Sequence, residues 1–457
     1  MKLLDNDQWV DEQFGSSDLG DARRSKRLLT VARNMLASPN GSLPQQNTAW
    51  SDLKAAYRLF ANETVTFDAI AQPHWCQTRR TQPGRYLLIS DTTDIDHTSH
   101  KATTGLGILG DGVGRGMQLH SSLLYDTTTQ LLHGAAGALI YYRKRKPANE
   151  TRAQRLNRGR ESEIWGKLVD KVGSPPKGCR WIHVFDRGGD NFEAMCHIHL
   201  SKCDWIIRAA KLNRKVLDEN NQPVKLASLL NEAKHLGDYK LHLRSREGVE
   251  ARTAKIAVSV VKVTFQQPQH RSPWLRKCGI QSLSMNVVIV KEIDAPKGIC
   301  PIMWVLLTSL PVESFEDAWQ IITDYETRWL IEEYHKVIKS ACSVEAHSLR
   351  EAQSLEPLIA LISVVGTRLL QLKQIGRNQP EAKAATHVPA SWLKCLKLLK
   401  PKLVLTGMTV YTFIRELAKL GGFLARKHDG EPGWQTIWRG FQKMQLLLQG
   451  MQLAGAC

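Results

Sequence analysis

Three acids sit where carboxylate chemistry would place them. Asp91 follows the apolar run Arg85-Tyr-Leu-Leu-Ile-Ser90, Asp186 follows Trp181-Ile-His-Val-Phe185, and Glu332 lies in Asp324–Ser340, a stretch without Pro or Gly. The two runs read as strands and the longer stretch as a helix. If the strands are neighbours in one sheet and the helix packs beside them, the three carboxylates converge. Converging carboxylates repel one another unless a hard divalent cation lies among them. Mg2+, with Mn2+ as its substitute, takes oxygen ligands and keeps several waters. Two such ions activate an attacking oxygen and stabilise a leaving one in an in-line phosphoryl displacement. Each feature alone has a plainer reading. An Asp after a strand is commonly a turn or N-cap residue, and the helix face is a solvated surface laced by pairs such as Arg328–Glu332 and Glu332–Lys336.

The elements that must position these acids follow from the pattern. In the Asp324–Ser340 helix, Leu330, Ile331, Tyr334, Val337 and Ile338 form an apolar face that docks. Tyr325, Arg328, Glu332, Lys336 and Lys339 share the opposite stripe at about 100° per residue. A short helix, Glu316–Ile322, leads into it. Met117–Tyr125 and Leu131–Tyr142 read as a hairpin closed by Asp126-Thr-Thr-Thr. Gly105 to Gly116 reads as a mobile loop without the P-loop pattern. Glu161–Val172 and Asn191–Ser201 read as helices, and Asp204–Arg208 and Trp304–Thr308 as strands. Between them, residues about 211–305 read as a mostly antiparallel β insertion, with Ile256–Val263 and Leu283–Ile293 rich in β-branched residues. Leu355–Leu372 reads as a buried helix, 376–389 as a linker, and 391–457 as helical and basic.

The chain has 457 residues, enough for two or three domains, and 62 Lys+Arg against 44 Asp+Glu leave a net charge of +18. Such a surplus points to a polyanion, either nucleic acid or an anionic membrane surface. The membrane alternative is weak. The most apolar run, Leu355–Leu372, contains Glu356 and Arg368, and the N-terminus lacks a signal-peptide core. A cytoplasmic location is expected. The nine cysteines include no Cys-x2-Cys pair, and Cys196 and Cys203 near His197 and His199 fit no familiar zinc spacing. Residues 1–70 read as helical. Asp21–Leu36 carries Arg23, Arg24, Lys26, Arg27 and Arg33, and a second helix at Trp50–Phe60 carries Lys54 and Arg58. These read either as solvated basic helices or as a DNA-contacting module. The basic run Arg143-Lys-Arg-Lys146, with Arg152, Arg155, Arg158 and Arg160, reads as a solvated loop or a phosphate-contacting one.

Tyr325, Arg328, Glu332 and Lys339 form a Tyr-x2-Arg-x3-Glu-x6-Lys pattern. Together with Ile89-Ser-Asp91-Thr-Thr, Val184-Phe-Asp186-Arg, Leu19-Gly-Asp-Ala-Arg-Arg and Ala56-Tyr-Arg-Leu-Phe60, it resembles the Tn5-like members of the IS4 family of DDE transposases. The resemblance is densest at 19–60, 86–93, 181–208 and 301–372. It implies an α/β fold: an RNase H-like catalytic core with a mostly antiparallel β insertion, flanked by helical N- and C-terminal domains. The implied domains are 1–70 for DNA binding, 71–375 for catalysis and 376–457 for dimerisation. Asp91, Asp186 and Glu332 become the ligands of two Mg2+ ions. Tyr325, Arg328 and Lys339, aided by Lys336, become the grip on phosphates beside the cleaved end. Trp304 becomes the platform for a flipped base and Arg208 an active-site arginine; by pattern alone, Trp304 is a core residue and Arg208 a strand-end surface charge. The implied activity is cut-and-paste transposition through a DNA hairpin, by a homodimer bridging transposon ends and target DNA in the bacterial cytoplasm, nucleoid-associated when DNA-bound. A catalytically silent DNA-binding relative acting as a transposition inhibitor is the alternative, and a nuclease that cuts without joining a further one. The chain departs from the family pattern at Gly188-Gly189 after Asp186-Arg, and Asp94 and Asp96 add acids beside Asp91.

Overall fold

The computed structural model describes residues 3–455 apart from 111, 146, 148, 152, 153, 155–157 and 246–249, so Lys146, Arg152 and Arg155 of the basic run lie outside the described residues. The chain divides into two compact units, one made of 1–82, 92–144 and 331–457, the other of 83–91 and 145–330. The strands in chain order are β1 (Gly84–Asp96), β2 (Gly107–Ile108), β3 (Arg115–Asp126), β4 (Leu131–Tyr141), β5 (Cys179–Phe185), β6 (Asp204–Arg208), β7 (Lys215–Leu217), β8 (Pro223–Lys225), β9 (Lys234–Leu243), β10 (Arg252–Gln266), β11 (Ser282–Ile293) and β12 (Met303–Thr308).

In the unit formed by 83–91 and 145–330, β1 pairs in parallel with β5, and β5 in parallel with β6. β6 then pairs antiparallel with β12, β12 with β11, and β11 with β10; β7 and β9 pair with β10, and β8 with β7, all antiparallel. This is the expected β insertion returning to the core. Period-2 patterning sets its faces: Ile256, Val258 and Val260 of β10 are buried on one face, and Val263 and Phe265, out of phase with them, are buried on the other. The parallel strands read instead as apolar runs, since Leu87, Leu88 and Ile89 of β1 and Ile182, Val184 and Phe185 of β5 are all buried.

In the other unit, β3 and β4 form the expected antiparallel hairpin. The Gly105–Gly116 segment is not wholly loop, because Gly107 and Ile108 pair with Gly116 and Arg115. The strands with the helical N- and C-terminal regions make the expected mixed α/β fold, its strand pairs mostly antiparallel. Four N-terminal helices, Asn6–Phe14, Ala22–Ala37, Trp50–Phe60 and Phe67–Thr78, bury Trp9, Leu28, Met35, Leu59 and Trp75 among other side chains. The Ala352–Asn378 helix is the core of this unit. Its most apolar window is 94% buried, so it is a core helix rather than a span. It also runs into the expected linker, because Gly376 packs closely on Ile414 and Ile375 is fully buried. Helices Ala390–Leu399, Val410–Leu420 and Trp434–Leu453 follow. Arg368 is 2% exposed, donates to the Leu4 carbonyl, and lies 5.8 Å from the Trp9 ring and 5.6 Å from the Trp392 ring.

Candidate functional site

The Asp324–Ser340 stretch is not one helix. A first helix, Phe315–Glu326, begins at a capping box in which Ser314 and Asp317 bond each other's backbone N–H, and ends at Thr327. A second, Trp329–Lys336, follows, and Val337–Ala341 widens into a π-turn. The break has a local cause. The Thr327 hydroxyl bonds the Thr323 carbonyl at 3.0 Å, and the Arg328 N–H turns to Tyr325 O at 3.0 Å, which tightens the chain out of the α pattern. Tyr325 therefore does not share a solvated stripe with Glu332. It closes the first helix and is 4% exposed.

Six sequence-selected residues belong to the 83–91/145–330 unit. The parallel register ends with Ser90 opposite Phe185, so Asp91 and Asp186 come next on adjacent strands, about 5 Å apart at the backbone. Asp91 lies inside the long β1 strand rather than beyond its end. Asp186 Oδ1 accepts the Gly188 N–H at 2.7 Å, capping a one-turn helix. Space requires a glycine at 189, where a Cβ would lie 2.6 Å from Phe185 Cβ; at Gly188 a Cβ would be tight, 3.0 Å from Trp165. Arg328 Nη1 approaches Asp91 Oδ2 at 3.4 Å. The Arg328 guanidinium also lies 6.0 Å from the centre of the Tyr325 ring.

Trp304 meets Tyr325 edge-on at 5.3 Å, and the Arg208 guanidinium sits 5.9 Å from the Trp304 ring. Trp304 is half-exposed, not a buried core residue. Arg208 also donates to Met303 O at 3.4 Å and is paired in register with Leu306. Burial pushes the Tyr325 phenol up, against the pull of the Arg328 and Arg208 charges, so it is a neutral hydroxyl at physiological pH. The result is a carboxylate pair bordered by two guanidinium groups, a phenol and an indole.

Glu332, Lys336 and Lys339 lie in the other unit. The apolar face expected there is real: Ile331, Tyr334, Val337 and Ile338 are fully buried, and Tyr334 OH donates to Ser363 O at 2.9 Å. Glu332 is half-exposed and Lys336 exposed on the remaining face, while Lys339 Nζ pairs with Glu345 Oε1 at 3.1 Å. The extra acids near Asp91 have structural work. Asp94 accepts from Gln118 Nε2 at 3.1 Å and from the Gly110 N–H at 3.3 Å, and Asp96 accepts from the Thr98 N–H at 2.7 Å. Among the described residues no group of three or more His, Cys, Asp or Glu is placed so that it could hold a metal ion. His197 instead bonds Asp170 at 2.7 Å and stacks on Trp274, contacts that spacing alone does not reveal. The donor chemistry of Asp91 and Asp186, two adjacent carboxylates, fits a hard oxygen-seeking cation.

In the N-terminal helices, most expected DNA-contacting bases are engaged elsewhere. Arg27 pairs with Asp52 at 2.6 Å, Arg33 with Asp7 and Asp11 at 2.8 and 2.6 Å, Arg23 with Asp21 at 3.0 Å, and Arg24 donates to Leu19 O at 3.0 Å. The Trp50–Phe60 helix buries Leu53, Ala56, Leu59 and Phe60 and exposes Lys54, Tyr57 and Arg58, with Trp50 72% exposed. Lys54 and Arg58 form no ion pair among the described residues. This aromatic and cationic face suits a nucleic acid better than the helix before it. Replacing Lys54 and Arg58 together with Ala should weaken DNA binding about tenfold or more at 0.1 M salt and flatten the slope of log K against log salt by roughly 1–2. A salt titration by fluorescence anisotropy reads both; an unchanged slope would remove this face from the phosphate contacts.

Two family models match. Transposase DNA-binding covers residues 6–65, and Transposase Tn5 dimerisation domain covers residues 364–456. The first spans the N-terminal helices up to the exposed Lys54/Arg58 face. The second spans the C-terminal helices and their connections, where Leu398, Val404, Leu424 and Leu446 are each at least 60% exposed and so open to burial between subunits.

Proposed function

We propose that this chain, which matches a transposase DNA-binding model over 6–65 and a Tn5 transposase dimerisation model over 364–456, is a cut-and-paste DNA transposase. It acts in the cytoplasm as a homodimer that bridges two transposon ends and then target DNA. The observation that carries the proposal is the placing of Asp91 and Asp186 in consecutive register on parallel β1 and β5, with Arg208, Tyr325 and Arg328 beside them.

In this reading Asp91 and Asp186, with Glu332 as the third carboxylate, would hold Mg2+ or Mn2+. When bound, two ions supply a deprotonated attacking oxygen and offset the charge on the leaving one. The chain's own groups do the positioning. Arg328 carries a planar fork suited to a phosphate, and the neutral Tyr325 hydroxyl donates one hydrogen bond. Lys339 and Lys336 add point charges on the DNA backbone, and Arg208 offsets charge near the cleaved strand. Trp304, half-exposed, offers its face to an unstacked base, which the hairpin step needs when the freed 3′-OH attacks the opposite strand. Water then opens the hairpin, and the 3′-OH attacks target DNA.

The test is an in vitro excision assay on DNA carrying the inverted repeats that flank this gene, with Mg2+. Excised fragments with a hairpin-ended intermediate are expected. End binding without cleavage in either Mg2+ or Mn2+ would favour the silent inhibitor instead, and cleavage without strand transfer a nuclease.

A further inference from the structure

Asp324 stands immediately before Tyr325 and is 3% exposed. Its two oxygens receive both terminal nitrogens of Arg85, Nη1 to Oδ1 at 3.0 Å and Nη2 to Oδ2. Gln320, one turn earlier, donates a further bond to Oδ1 at 3.0 Å. Arg85 is the second residue of β1, the strand that carries Asp91 roughly 20 Å further on. Four residues after Asp324, Arg328 reaches Asp91 itself. The turn that breaks the helix is thus tied to one strand at two points, by a buried bidentate pair at one end and a looser one at the other.

We propose that Arg85 and Asp324 are positioning residues that fix the Tyr325–Arg328 turn against β1, so that its phosphate-binding groups stand in register with Asp91. The fork geometry is why. A bidentate guanidinium–carboxylate pair fixes orientation as well as distance. A buried carboxylate that lost its partner would be left charged in an apolar site, so the turn would have to move to reach water. The Asp91–Arg328 contact, half-shielded and 3.4 Å long, cannot supply that rigidity. The turn can therefore exchange Arg328 between Asp91 and a phosphate without losing its place.

The inference rests on the transposase reading for its consequence, but not for its geometry, and the experiment separates the two. Asp324→Asn keeps the shape and removes the charge; Arg85→Met, at a position with a 27% exposed side chain, removes the fork from the other side should the first variant fail to fold. Hydrogen exchange on the full-length protein reads the turn directly. Peptides covering 323–330 should exchange at least about tenfold faster in either variant, with β5 and β6 unchanged. In the excision assay both variants should lose about tenfold to a hundredfold in the rate of cleavage, the cost of a misplacement near 1 Å, with end-binding affinity within about twofold. Arg85→Lys, which keeps charge without the fork, should fall between. Wild-type exchange at 323–330 in both Asp324→Asn and Arg85→Met overturns the proposal whatever the assay gives. Faster exchange with wild-type cleavage overturns the positioning role. An inactive wild type would fail the transposase reading alone.

Discussion

Replacing Glu332 with Gln, Asp186 with Asn or Asp91 with Asn should each lower end cleavage at least about a thousandfold and leave end binding within about twofold of wild type. The substitutions keep volume and remove one negative charge, so under the proposed metal-holding role they would act on the cation rather than on the fold. Asn at 186 retains an acceptor for the Gly188 N–H and so keeps the one-turn cap. Asn at 91 weakens the partly exposed contact with Arg328, which is worth about 0–1 kcal/mol. Gln at 332 sits half-exposed in a helix that tolerates it. Gel analysis of labelled ends, with melting curves beside it, makes the comparison. Wild-type cleavage by any one variant would remove that residue from the metal set.

The second large effect is expected far from the acids. Helices Val410–Leu420 and Trp434–Leu453 touch through backbone: a Cβ on Gly440 would lie 1.8 Å from Leu417 O, and one on Gly421 1.9 Å from Thr436 O. Neither neighbour is a side chain that can swing away. Gly440→Val should therefore part the two helices and cost about 3 kcal/mol or more, at or beyond the upper end of ordinary overpacking. Sedimentation velocity on the protein with its end DNA should show loss of the dimer, and the thermal transition of the protein should fall by several degrees. Gly450→Ala, where nothing stands within 4 Å, is the control and should leave both unchanged. An intact dimer in Gly440→Val would show that the helix crossing does not shape the interface.

Much of this could be read in the residues. Asp91 and Asp186 stood out because a buried parallel strand is an apolar run, and an acid ending such a run is conspicuous. The β insertion was legible for the same reason, through its β-branched and alternating strands. What was hidden depends on partners distant in sequence. The bases of the Ala22–Ala37 helix read either as a solvated face or as DNA contacts, and pattern could not show that Arg27 and Arg33 pair with Asp52, Asp7 and Asp11 on other helices. The break at Thr327 was invisible because a hydroxyl choosing Thr323 O over solvent is a local geometric choice that periodicity does not encode. The tie between Arg85 and Asp324 joins residues 239 apart, and neither type is unusual where it stands.

The packing of the chain's first residues against its last helices bears on how the protein is made. Leu3 N–H bonds His387 O at 2.7 Å, Asn6 bonds Gln445 at 2.8 Å across 439 positions, and Arg368 lies between Trp9 and Trp392. Contacts so remote in sequence raise contact order, and loop-closure entropy must be met before they return any stability. The helices near residue 10 gain these partners only after residues 387 and 445 have been made. Folding of this unit is therefore a late and slow event, and a nascent or truncated chain keeps its opening helices loosely held.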